Sequence, residues 1–206
     1  MPEGGRPTGA PADRTPVASK HSFHRGSLAL DFVGTLGRRG ADQPEERIPD
    51  PGALRHWLVE ARLAAPGRVT RSDYDAAVEL RESIYRMGRR ALAGARQSAA
   101  DVRQLNAFAR WSRLGTRRLV RAGRESAWDT AQGSRFSLGC IAVDAIRVVT
   151  EERSRLTACS LDDCRALLLS HSRSDARRWC AMETCGNRAK VAAFRQRRAR
   201  ELAEPE

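Results

Sequence analysis

Four of the five cysteines fall in the last quarter of the 206-residue chain, as two pairs of one spacing, Cys159-x4-Cys164 and Cys180-x4-Cys185. Four thiols that converge from two tight turns can surround one tetrahedral Zn²⁺, the geometry that thiolate ligands favour. The same spacing leaves two disulfides, or four unconnected core cysteines, as alternatives. The remainder of the chain argues against disulfides. Met1 to Lys20 holds Pro2, Pro7, Pro11 and Pro16 with Gly4, Gly5 and Gly9, and has no apolar stretch that could serve as a signal sequence. The longest apolar run, Ile141 to Val149, is broken by Asp144 and Arg147 and is far too short to span a membrane. The expectation is a cytoplasmic protein with no membrane partner, in a compartment that keeps thiols reduced.

Four sulfur ligands fill a tetrahedral zinc, so one Zn²⁺ here would be structural; a catalytic zinc keeps a position open for water or substrate. His171, the other nearby residue of ligand type, reads as a solvated loop residue. Cys140 reads as a small buried hydrophobe. The chain has no Gly-x-Ser-x-Gly elbow, Walker loop or His-Glu-x-x-His. A metal-dependent nuclease needs His with Asp or Asn free to hold a hydrolytic metal, and the cysteine region has a single histidine, His171, with Asn187 after the last cysteine. The expectation is therefore a protein that is not an enzyme.

Charge suggests a partner. The formal net charge is +12, and a strongly basic balance favours polyanions. Only Lys20 and Lys190 are lysines, so part of this charge reflects a general preference for arginine. Its distribution says more: between Arg153 and Arg200 there are twelve Lys or Arg and four Asp or Glu, so the excess gathers around the cysteines.

The elements that would position these groups read as mostly helical. Residues 1–20 have the Pro/Gly content of a disordered arm. Leu28 to Leu36 is an apolar run holding Asp31 that suits a strand or a helical turn. Asp50-Pro51 opens a helix with Leu54, Trp57, Leu58 and Ala61 on one face, ended by Pro66-Gly67. Thr70-x-x-Asp73 has the form of a capping box before Leu80, Ile84, Met87 and Ala91. Ser98-x-x-Asp101 reads the same way, before Val102, Leu105, Phe108 and Ala109. Leu119-Val120 and Trp128 suit short strands joined through Gly123, and a further helix runs through Phe136, Ile141 and Val148. The length suits one medium domain and one small one. The boundaries read as an arm at 1–20, a mostly helical domain at 21–153, a zinc-binding segment at 154–200 and an acidic tail at 201–206.

The segment from Leu156-Thr-Ala-Cys159 through Trp179-Cys180-Ala-Met-Glu-Thr-Cys185-Gly-Asn-Arg188-Ala-Lys190 closely resembles the CGNR zinc-finger family, down to the literal Cys-Gly-Asn-Arg. Leu28-Ala-Leu-Asp-Phe-Val33, Thr35-Leu36, Trp57-Leu58 and Leu80-Arg-Glu82 resemble the ABATE domain, the usual partner of that finger in proposed stress-induced bacterial transcription regulators. The sequence departs from the family pattern at Gly34, where Asn is usual, and at Leu168 and Ser170, where an aromatic and an Asp are usual. The resemblance implies a mainly α N-terminal domain with minor β, followed by a small α+β treble-clef-like finger: a first cysteine pair on a knuckle and a second pair entering a helix. Cys185 in the first turn of such a helix would meet free backbone N–H groups, with Gly186 letting the backbone approach the sulfur.

After the last cysteine, Arg188, Lys190, Arg195, Arg197, Arg198 and Arg200 are interleaved with Val191, Ala192, Ala193 and Phe194, as in a basic amphipathic helix. With Arg177 and Arg178, these residues form the expected DNA contact surface; an RNA target fits the same charge pattern. A solvated helix face, or a zinc-stapled module that binds an acidic protein, are the competing readings. Trp179 beside a ligand reads as packing within the finger. For the helical domain the resemblance implies sensing, with dimerisation as the other natural role. Asp31 and Arg81 are the candidate lining of an effector pocket, or else partners in buried ion pairs.

Overall fold

The computed structural model describes residues 23–64, 67–170 and 177–203. The expected arm at 1–20, Pro66 and His171 lie outside them. The run from Leu28 is a helix, α1 (Leu28–Val33), whose capping residue Ser27 accepts from the Leu30 backbone N–H. From Ala29 to Val33 every side chain is buried, Asp31 included, so its sequence carries neither a helical nor a strand period. The chain then makes two-residue strands β1 (Leu36–Gly37) and β2 (Glu45–Glu46), which pair antiparallel.

α2 (Pro51–Glu60) starts at Asp50, whose side chain accepts from Ala53 N at 2.8 Å. It stops before Pro66 is reached: Ala61 caps it, and Arg62 leaves in the left-handed region at φ 56°. α3 (Arg71–Leu92) begins with both bonds of the Thr70–Asp73 capping box. α4 (Ala99–Ala109) does begin after Ser98, but no side-chain cap bond forms there. Asp101 instead turns across to α3, where it accepts from Arg86 at 2.5 Å and from Ser83 Oγ at 3.2 Å. A 3₁₀ turn (Arg110–Leu114) leads into a hairpin of β3 (Thr116–Val120) and β4 (Glu125–Asp129). α5 (Gly133–Thr150) follows.

The apolar faces meet in one core. Leu54, Trp57 and Leu58 of α2, Leu80, Ile84 and Met87 of α3, Leu105 and Phe108 of α4, and Leu138, Ile141 and Ala145 of α5 pack with Phe32 and Val33 of α1. Burial of this kind is the main driving term for folding. Val102, expected on the apolar face of α4, is exposed. Cys140 is half-buried and joins neither the core nor the thiol cluster; burial pushes its thiol above the ordinary range. No helix among the described residues is long and apolar enough to cross a membrane.

The chain ends in a small α+β unit: antiparallel strands β5 (Leu156–Ala158) and β6 (Leu167–Leu169), a π-helical turn (Met182–Gly186) and α6 (Asn187–Ala203).

Candidate metal centre and nucleic-acid interface

The knuckle between β5 and β6 carries Cys159 and Cys164. Cys159 N donates to Ala166 O at 2.8 Å and Cys164 N to Leu161 O at 3.0 Å, closing a turn whose last residue, Arg165, is left-handed at φ 51°. Ser160 N reaches Arg178 O at 2.8 Å, so the knuckle is stitched to the segment that delivers Cys180. Cys185 sits in the π-helical turn just ahead of α6, not in the first turn of the α-helix.

All four Sγ atoms lie within 4.8 Å of one another and are buried. Cys164 and Cys180 are 3.7 Å apart at sulfur, and Cys180 and Cys185 are 3.4 Å apart. Four sulfurs tetrahedrally placed about 2.3 Å from zinc would be about 3.8 Å apart, against about 2 Å in a disulfide. All are free thiols, and the donor set fits one structural Zn²⁺. Their acidities agree. Hydrogen bonds from Cys164 and Cys180 hold the Cys159 thiol well below its ordinary range. The same contacts push Cys164 far up, and hydrogen bonding with Cys159 pushes Cys180 up to about 12. Without a metal, Cys159 favours the thiolate while Cys164 and Cys180 resist it, a resistance that a bound dication would offset. Leu168, fully buried, packs against the sulfurs with Leu161, Ala166 and Trp179 around it.

The Cys-Gly-Asn-Arg run divides its labour. Cys185 supplies a sulfur. A Cβ on Gly186 would lie 2.5 Å from Met182 Sδ, so the glycine makes room for a methionine of its own turn rather than for the thiol cluster. Asn187 donates from Nδ2 to Glu183 O at 3.0 Å, satisfying a carbonyl of the π-helical turn. Arg188 pairs with Asp163 of the knuckle, which also receives Arg38 at 3.5 Å.

The finger rests on the helical domain. Leu156, Leu167 and Leu169 share a buried cluster with Leu30, Ala91 and Val148. Leu169 N donates to Arg25 O at 2.8 Å, and Arg39 N and Gly40 N donate to knuckle carbonyls at 3.2 and 3.1 Å. A cavity of about 340 Å³ opens along this seam, lined from one side by Arg25, Arg38 and Arg47 and from the other by Cys180, Thr184 and Arg188.

The basic residues expected to meet DNA separate into two groups. Arg177 is engaged within the protein, donating to His24 O and to Cys180 O, both at 2.8 Å. Arg188 is held by Asp163. Arg178 is exposed and lies over the Trp179 ring at 5.1 Å. Lys190, Arg195, Arg197, Arg198 and Arg200 are exposed along α6, and among the described residues none forms an ion pair. Val191 and Phe194 are exposed as well, at 49% and 56%. α6 therefore has no buried stripe among its described side chains and stands out from the finger.

Asp31 and Arg81 each sit in a buried ion pair, the alternative that the sequence left open. Arg81, 2% exposed, clamps Glu46 through both terminal nitrogens at 2.8 and 2.6 Å, and also reaches Thr35 Oγ1 and Glu82. Asp31, 7% exposed, accepts from Arg25 N at 2.9 Å and lies 4.0 Å from the Arg25 guanidinium. Burial raises its carboxyl to about 6, against the lowering effect of that N–H bond. Gly34 belongs to the same corner. A Cβ there would lie 2.2 Å from Arg25 Cζ, so the buried guanidinium occupies the space that a side chain at position 34 would need. Ser170, the other polar departure, is buried and accepts from Arg177 N at 3.0 Å.

Sequence reading overlooked one charged element. Arg110 to Arg124 holds six arginines and no carboxylate, as dense as α6, and carries most of the helical domain's positive excess, which a count over the whole domain does not localise. A sliding charge window would have marked it.

A helical domain with a four-thiol finger seated on its flank, and a helix leaving directly from the last thiol, defines a two-part zinc-finger protein of treble-clef form. The family model "ABATE: Putative stress-induced transcription regulator" matches residues 26–152, and the CGNR zinc-finger model matches residues 155–198. The chain belongs to the ABATE family and carries a CGNR zinc finger after that domain. A search of curated proteins finds no match.

Proposed function

We propose that the chain is a DNA-binding transcriptional regulator in which a structural Zn²⁺, held by Cys159, Cys164, Cys180 and Cys185, fixes α6 as the nucleic-acid contact. The observation that carries this reading is the exposed cationic row of α6. Lys190, Arg195, Arg197, Arg198 and Arg200 project from a helix that buries no described side chain, beside a rigid metal scaffold. Arginines so placed can bridge phosphates or fork onto guanine in a major groove. Arg178 is available to the same surface, whereas Arg177 and Arg188 act by holding the finger together. Catalysis has no place in this reading, because all four metal positions are thiolates and none is left for water or substrate. The helical domain would sense or dimerise, and an effector would act most directly in the seam cavity, where both domains contribute walls.

Exposed Val191 and Phe194 favour a second reading, a zinc-stapled module that binds a protein through α6. Selection of genomic fragments by the zinc-loaded protein separates the two. An enriched motif, lost when Arg195, Arg197 and Arg198 are changed together to Ala with zinc retained, is the expected result. Capture no better than that of Cys185→Ser would move the reading to the protein-binding module.

A further inference from the structure

The hairpin β3–β4 does little for the fold. Its residues are exposed or half-exposed, and Leu119 in its first strand is 74% exposed. Its anchor is one ring contact, Trp128 against Phe136 at 4.9 Å, with Thr130 Oγ1 donating to Leu114 O at its base. A lone two-stranded ribbon is marginal in water, so a hairpin held at one end is costly to keep for packing alone. Its tip is also strained: Arg121 and Ala122 are both left-handed, at φ 50° and 54°, ahead of Gly123. Backbone of that kind concentrates at functional sites.

Its charge is one-sided. The chain enters the hairpin through Arg110, Arg113, Arg117, Arg118, Arg121 and Arg124 with no acid among them. The returning strand supplies Glu125, paired with Arg121 at 2.8 Å, and Asp129, 3.7 Å from Arg118. Among the described residues, Arg110, Arg113, Arg117 and Arg124 have no carboxylate partner. The Arg117 guanidinium lies over the Trp128 ring, 4.8 Å from its centroid, a cation–π contact that holds the side chain against the hairpin. The register places Arg117 opposite Trp128 and Leu119 opposite Ser126. One face thus offers a cation, an apolar side chain and a hydroxyl, and the tip offers Arg124.

We propose that this hairpin is a second DNA-contacting element, a basic ribbon that engages duplex phosphates in addition to the contact made by α6. The inference rests on the reading of α6 as the first contact. DNA is the occupant that this charge favours, and a two-stranded ribbon has the width that a major groove admits.

Anisotropy of a labelled random-sequence duplex, titrated with zinc-loaded full-length chain over a range of salt concentrations, tests it. The variant changes Arg113, Arg117 and Arg124 together to Ala, leaving the ion-paired Arg118 and Arg121 in place. The expected result is affinity weaker by roughly tenfold or more and a log–log salt slope shallower by about 2 to 3, with zinc content unchanged. Lys at the same three positions should restore most of both. Wild-type affinity and slope in the Ala variant would overturn the proposal, and weakened binding by the Arg195, Arg197 and Arg198 variant would then leave the α6 reading standing. A hairpin effect without an α6 effect would keep the ribbon and remove the helix. Failure of Lys to restore binding would trace the loss to hairpin structure and defeat the phosphate contact; failure of the wild-type chain to bind duplex would defeat both readings.

Discussion

The helical domain and the finger solve the same problem with opposite chemistry. In the former, five helices close over Leu54, Trp57, Leu80, Ile84, Leu105 and Leu138, and the fold is specified by the shapes of apolar side chains. In the latter the interior is four sulfurs around Leu168, too little apolar surface to hold two three-residue strands and a turn. A small unit of that kind needs a metal or other staple to fold. One domain is made stable by what it excludes from water, the other by what it binds.

The largest expected effect breaks this contrast at the finger. Cys185→Ser should abolish stoichiometric zinc and unfold the segment after about residue 155, removing folding energy on the order of 10 kcal/mol. The α2–α5 core should keep its helical signal. Metal content by atomic absorption, with circular dichroism and limited proteolysis on the same sample, checks both halves. Zinc retained at one per chain would mean that the cysteines are not the ligands.

Acid should drive the two regions in opposite directions. Protonation of thiolates releases metal, so the finger weakens as pH falls. Asp31 does the reverse. Its carboxyl is raised from 3.8 to about 6 in the folded chain, so the folded state holds that proton more tightly than the unfolded one. This contribution is fully present below about pH 4 and is lost as pH rises through 6. Asp31→Asn should remove that slope, a difference of up to about 3 kcal/mol between pH 4 and pH 7. Denaturation midpoints of both proteins across that range, compared as a difference so that zinc release cancels, provide the measurement; parallel profiles would show that the buried carboxyl does not control the slope.

The smallest effects sharpen the comparison inside the helical domain. Asp50→Ala removes a side-chain cap and should cost about 1 kcal/mol. Ser98→Ala, at a position of the same sequence type, should change the midpoint little, because no cap bond exists there. Equal losses in the two variants would contradict the cap geometry.

These cases mark what can be read from a linear sequence. The cysteine tetrad was legible because ligand spacing is local and the metal dictates it, and Asp50 and Thr70 because a cap bonds within three residues. Asp101 was not, since its partners Ser83 and Arg86 lie on another helix and outcompete the local cap. The charge of Arg177 and Arg188 is visible in the sequence, whereas their partners within the protein, the His24 carbonyl and Asp163, appear only in three dimensions. For Asp31 and Arg81 the sequence left pocket lining and buried ion pairs open, because their partners, Arg25 and Glu46, are visible only in three dimensions.

The shared patch of Leu30, Ala91 and Val148 with Leu156, Leu167 and Leu169 has a mechanical consequence. A finger on a loose tether could seek its target independently of the rest of the chain. Here it is bolted to the helical domain by leucines and backbone bonds, so α6 is an arm mounted on a seated base. A shift of the base is therefore passed directly to the finger that carries the arm, through packed leucines and not along a tether.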